Sequence, residues 1–128
     1  MAISAKDLIK KKKLIEDKKD KLIEIEVPNT GTFVFRLPTI EDSEDAEAYG
    51  KNRNNPGFEQ NKYLVHACCV EPRLSDPELL EAFEVTEPID IVSELFLMGE
   101  ISSIAMTLVE KAGFDKESYK VVEKAKNS

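Results

Sequence analysis

The chain has 128 residues, enough for one compact domain, and its 41% hydrophobic and 34% charged content favours a modest core with polar extensions. No apolar run is long enough to cross a membrane and none follows the basic start, so we expect a cytoplasmic protein without a membrane span or secretory signal. The net charge of −7 hides an acidic middle, with fifteen acids against four bases in residues 39–100, which argues against a nucleic-acid binder because phosphates require a basic face.

Residues 1–20 are predicted to form a lysine-rich helix or extension. Ser4 is a candidate N-cap, and the pairs Leu8–Ile9 and Leu14–Ile15 give a thin apolar stripe. The run Lys10–Lys13 contains neither an aromatic residue nor an arginine. A solvated face is therefore favoured over a phosphate-binding or membrane-binding patch.

Residues 22–37 carry the clearest β signal, because two apolar-polar alternations flank the turn-forming cluster Pro28–Gly31. This pattern predicts a β-hairpin with one apolar face, made by Ile23, Ile25, Val27, Phe33, Phe35 and Leu37. Two strands alone are marginal in water, so this face is expected to rest on helices. The open strand edges leave room for a partner strand.

Thr39 is expected to cap a helix over residues 40–50, whose acidic first turn suits the positive end of the helix dipole. The acids of this segment are Glu41, Asp42, Glu44, Asp45 and Glu47. They lack the spacing of a helix-loop-helix calcium loop, so we interpret them as solvated and predict no metal site there.

Residues 62–70 form the only helix-length run that is apolar on every side, and they predict a central, buried helix at about residues 59–71. Pro72 is expected to end this helix, because the residue before a proline is pushed out of the α region. The adjacent Cys68 and Cys69 would form a strained mutual disulfide, and we interpret them as reduced core residues.

Three further helices are predicted downstream, at about residues 76–83, 88–98 and 100–112. Ser75 and Glu78 are expected to form a capping box at the start of the first. Gly99 is expected to separate the second from the third, which Gly113 ends.

The sequence contains no catalytic signature. His66 and Cys68 lie two residues apart, which on a helix turns their side chains about 200° from each other, so they do not make a nucleophile pair. A second histidine or a paired CxxC motif for zinc is missing, as are the common hydrolase and nucleotide-binding motifs. We therefore predict no catalytic residues, no cofactor and no metal. A carboxylate-only active site is the remaining enzymatic alternative, but the acids lie mainly at helix starts and on exposed faces, where solvation explains them.

Residues 71–83, 88–92 and 97–101 resemble the XkdN-like tail assembly chaperones of tailed phages and prophages, and the resemblance extends over residues 20–114. It implies a non-enzymatic cytoplasmic helper that binds the tape measure protein and is absent from the finished tail. The tail tube protein is a further candidate partner, and self-association stays open. The alternative functions are a structural component of the tail or an acidic regulator that occupies a basic surface.

These observations predict an α+β fold in which an N-terminal β-hairpin packs on a mainly α-helical domain. We expect residues 21–114 to form this single domain, between the lysine-rich start and a weakly helical tail at residues 115–128.

The partner-binding surface is predicted from apolar residues that the domain does not need for its core. Residues 89–112 supply more apolar positions than the hairpin and the central helix can cover. We expect a groove for the tape measure protein lined by Leu74, Phe83, Leu97 and Met98. The alternative is that these residues complete the core.

Overall fold

The computed structural model describes residues 2–123, except for the side chain of Lys116, and within them the chain adopts the predicted α+β fold. The helices are α1 (Ala5–Lys10), α2 (Lys12–Lys19), α3 (Ile40–Gly50), α4 (Pro56–Cys68), α5 (Pro77–Ala82), α6 (Ile91–Leu95) and α7 (Met98–Val109). The strands are β1 (Leu22–Val27), β2 (Gly31–Arg36) and β3 (Cys69–Glu71). Short 3₁₀ helices cover Pro88–Asp90 and Lys116–Ser118, and a π-helical turn covers Glu110–Phe114.

The predicted β-hairpin is confirmed. Strands β1 and β2 pair antiparallel, with Ile23 opposite Phe35 and Ile25 opposite Phe33. The tight turn between them includes Asn29 at φ 66°, a left-handed conformation that asparagine tolerates better than most residues. The register places the apolar side chains of both strands on one face, which packs into the core.

The third strand corrects the predicted helix at residues 59–71. Helix α4 begins earlier, with Pro56 in its first turn, and ends at Cys68. Strand β3 then pairs antiparallel with the free edge of β2, with a register irregularity between Val34 and Phe35. Pro72 disfavours helix in the residue before it, and an extended chain here gains sheet hydrogen bonds that a frayed helix end would lack.

The core lies between the apolar face of the sheet and helices α4, α6 and α7. Helix α4 also packs against α3, so it contacts helices on several sides, as its all-round apolar sequence predicts. Leu64 is 7% exposed and Cys68 is fully buried. Helix α7 contributes the stripe of buried residues Ile101, Ile104, Ala105 and Leu108.

The N-cap of α5 is Asp76, so the predicted cap at Ser75 is wrong by one residue. The Asp76 carboxylate accepts hydrogen bonds from the backbone N–H of Glu78 at 2.9 Å and of Leu79 at 3.4 Å. Pro77 occupies the first helical position, where its missing N–H costs nothing, and this fixes the cap on the residue before it.

The break between the last two helices lies at Phe96–Leu97 and not at the predicted Gly99, which falls inside α7. The Phe96 ring meets the Phe33 ring edge-on, with centroids 4.9 Å apart, so its burial against the hairpin draws the chain out of the helix.

Within residues 2–123, no single helix is long and apolar enough to span a membrane. In that same range, one pair of helices, Pro88–Leu95 and Met98–Phe114, has the required length and composition when the two are taken together, but the pair is bent by 111°.

The two chain ends were predicted as a lysine-rich helix or extension and as a weakly helical tail. Ser4 does cap α1, but Lys11 separates α1 from α2, and neither helix contains a buried residue. The helix predicted over residues 100–112, with Gly113 at its end, is α7 up to Val109 followed by the π-helical turn Glu110–Phe114, in which Gly113 adopts a non-helical conformation at φ 117°. Beyond it, only Lys116–Ser118 is helical among the described residues, because the following side chains are exposed and no packed face supports a longer helix. The part of the predicted tail helix beyond residue 123 lies outside the described residues.

A buried lysine joins α4 to the start of α6. The Lys62 ammonium lies 2.8 Å from Asp90 Oδ1 and 3.4 Å from Glu59 Oε2, and its side chain is 8% exposed. Burial by itself lowers the pKa of Lys62, but the hydrogen bond and charge of Asp90, together with the charges of Tyr49 and Glu59, outweigh it and raise the pKa. Lys62 therefore stays charged and ties the two helices together.

An ion pair joins the hairpin to α3 and α4. The Arg36 guanidinium donates to both Asp42 carboxylate oxygens, at 2.6 and 2.9 Å, and to the backbone oxygen of Ala67 at 3.2 Å. Asp42 also accepts from the Thr39 backbone N–H and completes the predicted cap of α3 as a capping box. The Arg36 hydrogen bonds, with help from Thr39, outweigh burial and lower the pKa of Asp42 to about 2.

We predict that the Arg36–Asp42 ion pair makes stability depend on acid pH. The pKa of Asp42 is lower in the folded chain than its ordinary value of 3.8, so its contribution is present above that value and is lost as pH falls towards 2. The size is about 2 kcal/mol in the free energy of unfolding. Urea titrations at pH 7 and pH 2.5 should show Asp42→Asn destabilised at pH 7 and much less so at pH 2.5. Asp45→Asn, on the exposed side of α3, is the control. An equal loss at both pH values would contradict the linkage.

We predict that Leu64→Ala costs about 2 to 5 kcal/mol, because it leaves a cavity in the packed face of α4. Denaturant titration at neutral pH measures the loss. Leu97→Ala, which truncates a side chain that is 72% exposed, is the matched control and should change stability by less than about 0.5 kcal/mol. Similar values for the two variants would mean that α4 is not the centre of the core.

Candidate partner-binding site

The structure places the four predicted partner-binding residues in different surroundings. Leu97 and Met98 lie side by side at the α6–α7 junction and are 72% and 74% exposed. Phe83 follows α5 and is 40% exposed. Leu74 is 3% exposed and belongs to the core. For this residue the alternative holds that it completes the core, and it offers no surface to a partner in the folded chain.

Leu97 lines a cleft of about 490 Å³ between the hairpin turn and the α6–α7 junction. The turn contributes Pro28, Asn29 and Thr30, and the junction contributes residues 93–97 together with Glu100. We call this the turn–junction cleft. It brings together two segments that are far apart in the sequence, and the contribution of the hairpin turn is not predicted from the sequence.

The backbone at the junction explains why Leu97 faces outwards. Phe96 and Leu97 are both extended, with ψ 150° and 154°. Successive side chains of extended backbone point to opposite sides, so the burial of Phe96 against Phe33 directs Leu97 to the surface. Glu100 then accepts a hydrogen bond from the Leu97 backbone N–H at 2.8 Å, which holds the start of α7 in place.

The cleft combines apolar side chains with an acidic rim. Leu95 and Leu97 supply apolar surface, whereas Glu94 and Glu100 supply carboxylates at the same opening. Met98 extends the exposed apolar surface beyond the cleft and has a flexible thioether that adapts to different partners. Such a surface suits an apolar side chain flanked by lysine or arginine.

The groups considered for catalysis have environments that weaken them as nucleophiles. Cys68 and Cys69 are both free, and burial raises the pKa of each thiol to about 11, so both are protonated at neutral pH. Burial also lowers the pKa of His66, which favours its neutral form. Among the described residues, no group of three or more His, Cys, Asp and Glu side chains is arranged to hold a metal ion.

Comparison with known families identifies the chain. The family described as Phage XkdN-like tail assembly chaperone protein matches residues 8–126, which extends further at both ends than the resemblance over residues 20–114. No curated protein and no solved structure matches the chain. Because the family match covers nearly the whole sequence, the chain belongs to the XkdN-like tail assembly chaperones of phages.

Proposed function

We propose that this chain is a non-enzymatic chaperone that binds the tape measure protein during tail assembly in the host cytoplasm and is absent from the finished tail. Its family supplies the role in tail assembly. The observation that carries the finer assignment is the pair Leu97 and Met98, two large apolar side chains that are more than 70% exposed beside a cleft with an acidic rim. Adjacent exposed apolar side chains with a polar rim are a common feature of protein interaction sites.

The turn–junction cleft suits one segment of a long helical partner. An amphipathic helix presents apolar side chains at spacings of three and four residues, and one of these enters the cleft while the next contacts Met98. Each large apolar side chain that is fully buried contributes about 1.5 to 3 kcal/mol. Glu94 and Glu100 attract basic residues next to these anchors and raise the association rate.

The size of the cleft favours reversible binding. A volume of about 490 Å³ holds a few side chains and not a whole helix. A contact of this size shields apolar groups of the tape measure protein, yet it can be displaced by a more extensive interface. Displacement of this kind is what a chaperone requires, whereas a retained structural component needs a more extensive interface.

We predict that Leu97→Asp combined with Met98→Asp weakens binding to the tape measure protein at least about tenfold, because a buried carboxylate without a partner is costly. Co-expression followed by affinity purification measures the binding. The melting temperature should change little, because both side chains are exposed in the chain alone.

Met106→Asp is the matched control for this experiment. Met106 is 63% exposed on the same helix and does not line the cleft, so this variant should bind normally. If the double variant binds normally, the partner-binding site lies elsewhere, and the open edge of β1 is the next candidate. Unfolding of the double variant would instead support the core alternative for Leu97 and Met98.

We also predict that the chain is absent from purified tails or particles. Mass spectrometry of gradient-purified material should detect the tape measure and tube proteins but not peptides of this chain, whereas a lysate taken during assembly should contain it. A constant number of copies per finished particle would favour the structural-component alternative.

A further inference from the structure

A second apolar surface lies away from the turn–junction cleft, between the start of α3 and the end of α7. Two adjoining cavities of about 220 and 270 Å³ share Pro38, Thr39 and Ala112. Ile40 and Phe114 at this surface are 81% and 79% exposed. We call it the α3–α7 groove, and its apolar lining is Leu37, Pro38, Ile40, Val109, Ala112 and Phe114.

The N-terminal arm, residues 5–19, has apolar side chains that its own chain leaves exposed. Leu8, Ile9 and Leu14 are 46%, 73% and 69% exposed, and neither α1 nor α2 contains a buried residue. The two helices are six and eight residues long. Isolated helices of this length are marginal in water, so a stable arm requires a surface on which to pack.

The arm and helix α3, which forms one side of the groove, have opposite charge. The arm carries seven lysines against three acids, whereas α3 carries five acids and no base. Asp42 is paired with Arg36, but the other four acids of α3 are exposed. These acids do not line the two cavities, but Glu44 and Glu47 lie four and seven residues after Ile40 and so continue the face of α3 that borders the groove. Their negative charge is opposite to the net charge of the arm.

We propose that the N-terminal arm of one chain docks in the α3–α7 groove of a second copy of this chain. Lys19 lines one edge of the groove of its own chain. Leu8, Ile9 and Leu14 of the arm nevertheless stay exposed, as do the groove residues Ile40 and Phe114, so the arm does not fill that groove. A two-fold dimer that exchanges arms covers both surfaces on both chains.

Paired charge reversals test this arrangement in the chain alone, without the tape measure protein, so the result does not depend on the proposed function. The arm variant is Lys10→Glu, Lys12→Glu and Lys13→Glu, and the groove variant is Glu44→Lys and Glu47→Lys. Sedimentation velocity over a concentration series measures self-association. Each variant by itself should raise the dimer dissociation constant at least about tenfold, because like charges then face each other.

Mixing the two variants should restore the dimer. The normal arm of the groove variant fits the normal groove of the arm variant, and the two reversed surfaces also have opposite charge. Glu78→Lys with Glu81→Lys, on the exposed side of α5, is the matched control and should dimerise like the original chain. Leu14→Asp tests the apolar part of the arm and should also prevent association.

Three results would overturn the proposal. The original chain could stay monomeric at every concentration, the reversals could leave its association unchanged, or the mixture could fail to associate. If the chain is monomeric and hydrogen exchange shows a protected arm that Glu44→Lys and Glu47→Lys expose, the arm occupies its own groove. Thermal unfolding of each variant establishes that it is folded. If a charge-reversal variant does not fold, Leu14→Asp is used in its place.

Discussion

The Arg36–Asp42 ion pair is the interaction on which the arrangement of the fold depends, because it joins three backbone segments at one point. Arg36 ends β2, Asp42 lies in the first turn of α3, and the Ala67 carbonyl that Arg36 also binds lies one residue before the end of α4. The same guanidinium thus satisfies a carbonyl of the helix end and holds the capping box of α3. Because α4 leads directly into β3, which pairs with β2, the position of this helix end also sets where the third strand begins.

The Phe33–Phe96 contact makes the geometry of the candidate binding site depend on the position of the sheet. It fixes the α6–α7 junction on the hairpin, and the alternation of extended backbone then places Leu97 on the surface beside the hairpin turn. The exposed apolar surface is therefore a direct consequence of how the neighbouring residue completes the core. A substitution of Phe33, which does not line the cleft itself, would alter the cleft through Phe96, which does.

Features with local causes were predictable from the sequence. The alternation of the hairpin, the Thr39 cap and the apolar stripe of α7 depend on residues only a few positions apart. Features that depend on distant contacts were not: β3 requires the free edge of β2, and the α6–α7 break requires the Phe33 ring. At the candidate site, the surplus of apolar residues pointed to Leu97 and Met98, but no local signal showed that Leu74 is buried or that the hairpin turn forms the opposite wall of the cleft.

The two proposed surfaces are made of different residues, so one chain can use both at once. The turn–junction cleft is small, and by itself it supports only weak contact with a long protein. A dimer joined through the arms presents two such clefts, and once one is occupied the second binds its segment at a high effective concentration. The affinity for the partner then comes from several cleft contacts along its length and not from any single cleft. Each contact can still be displaced separately, without first breaking a large interface.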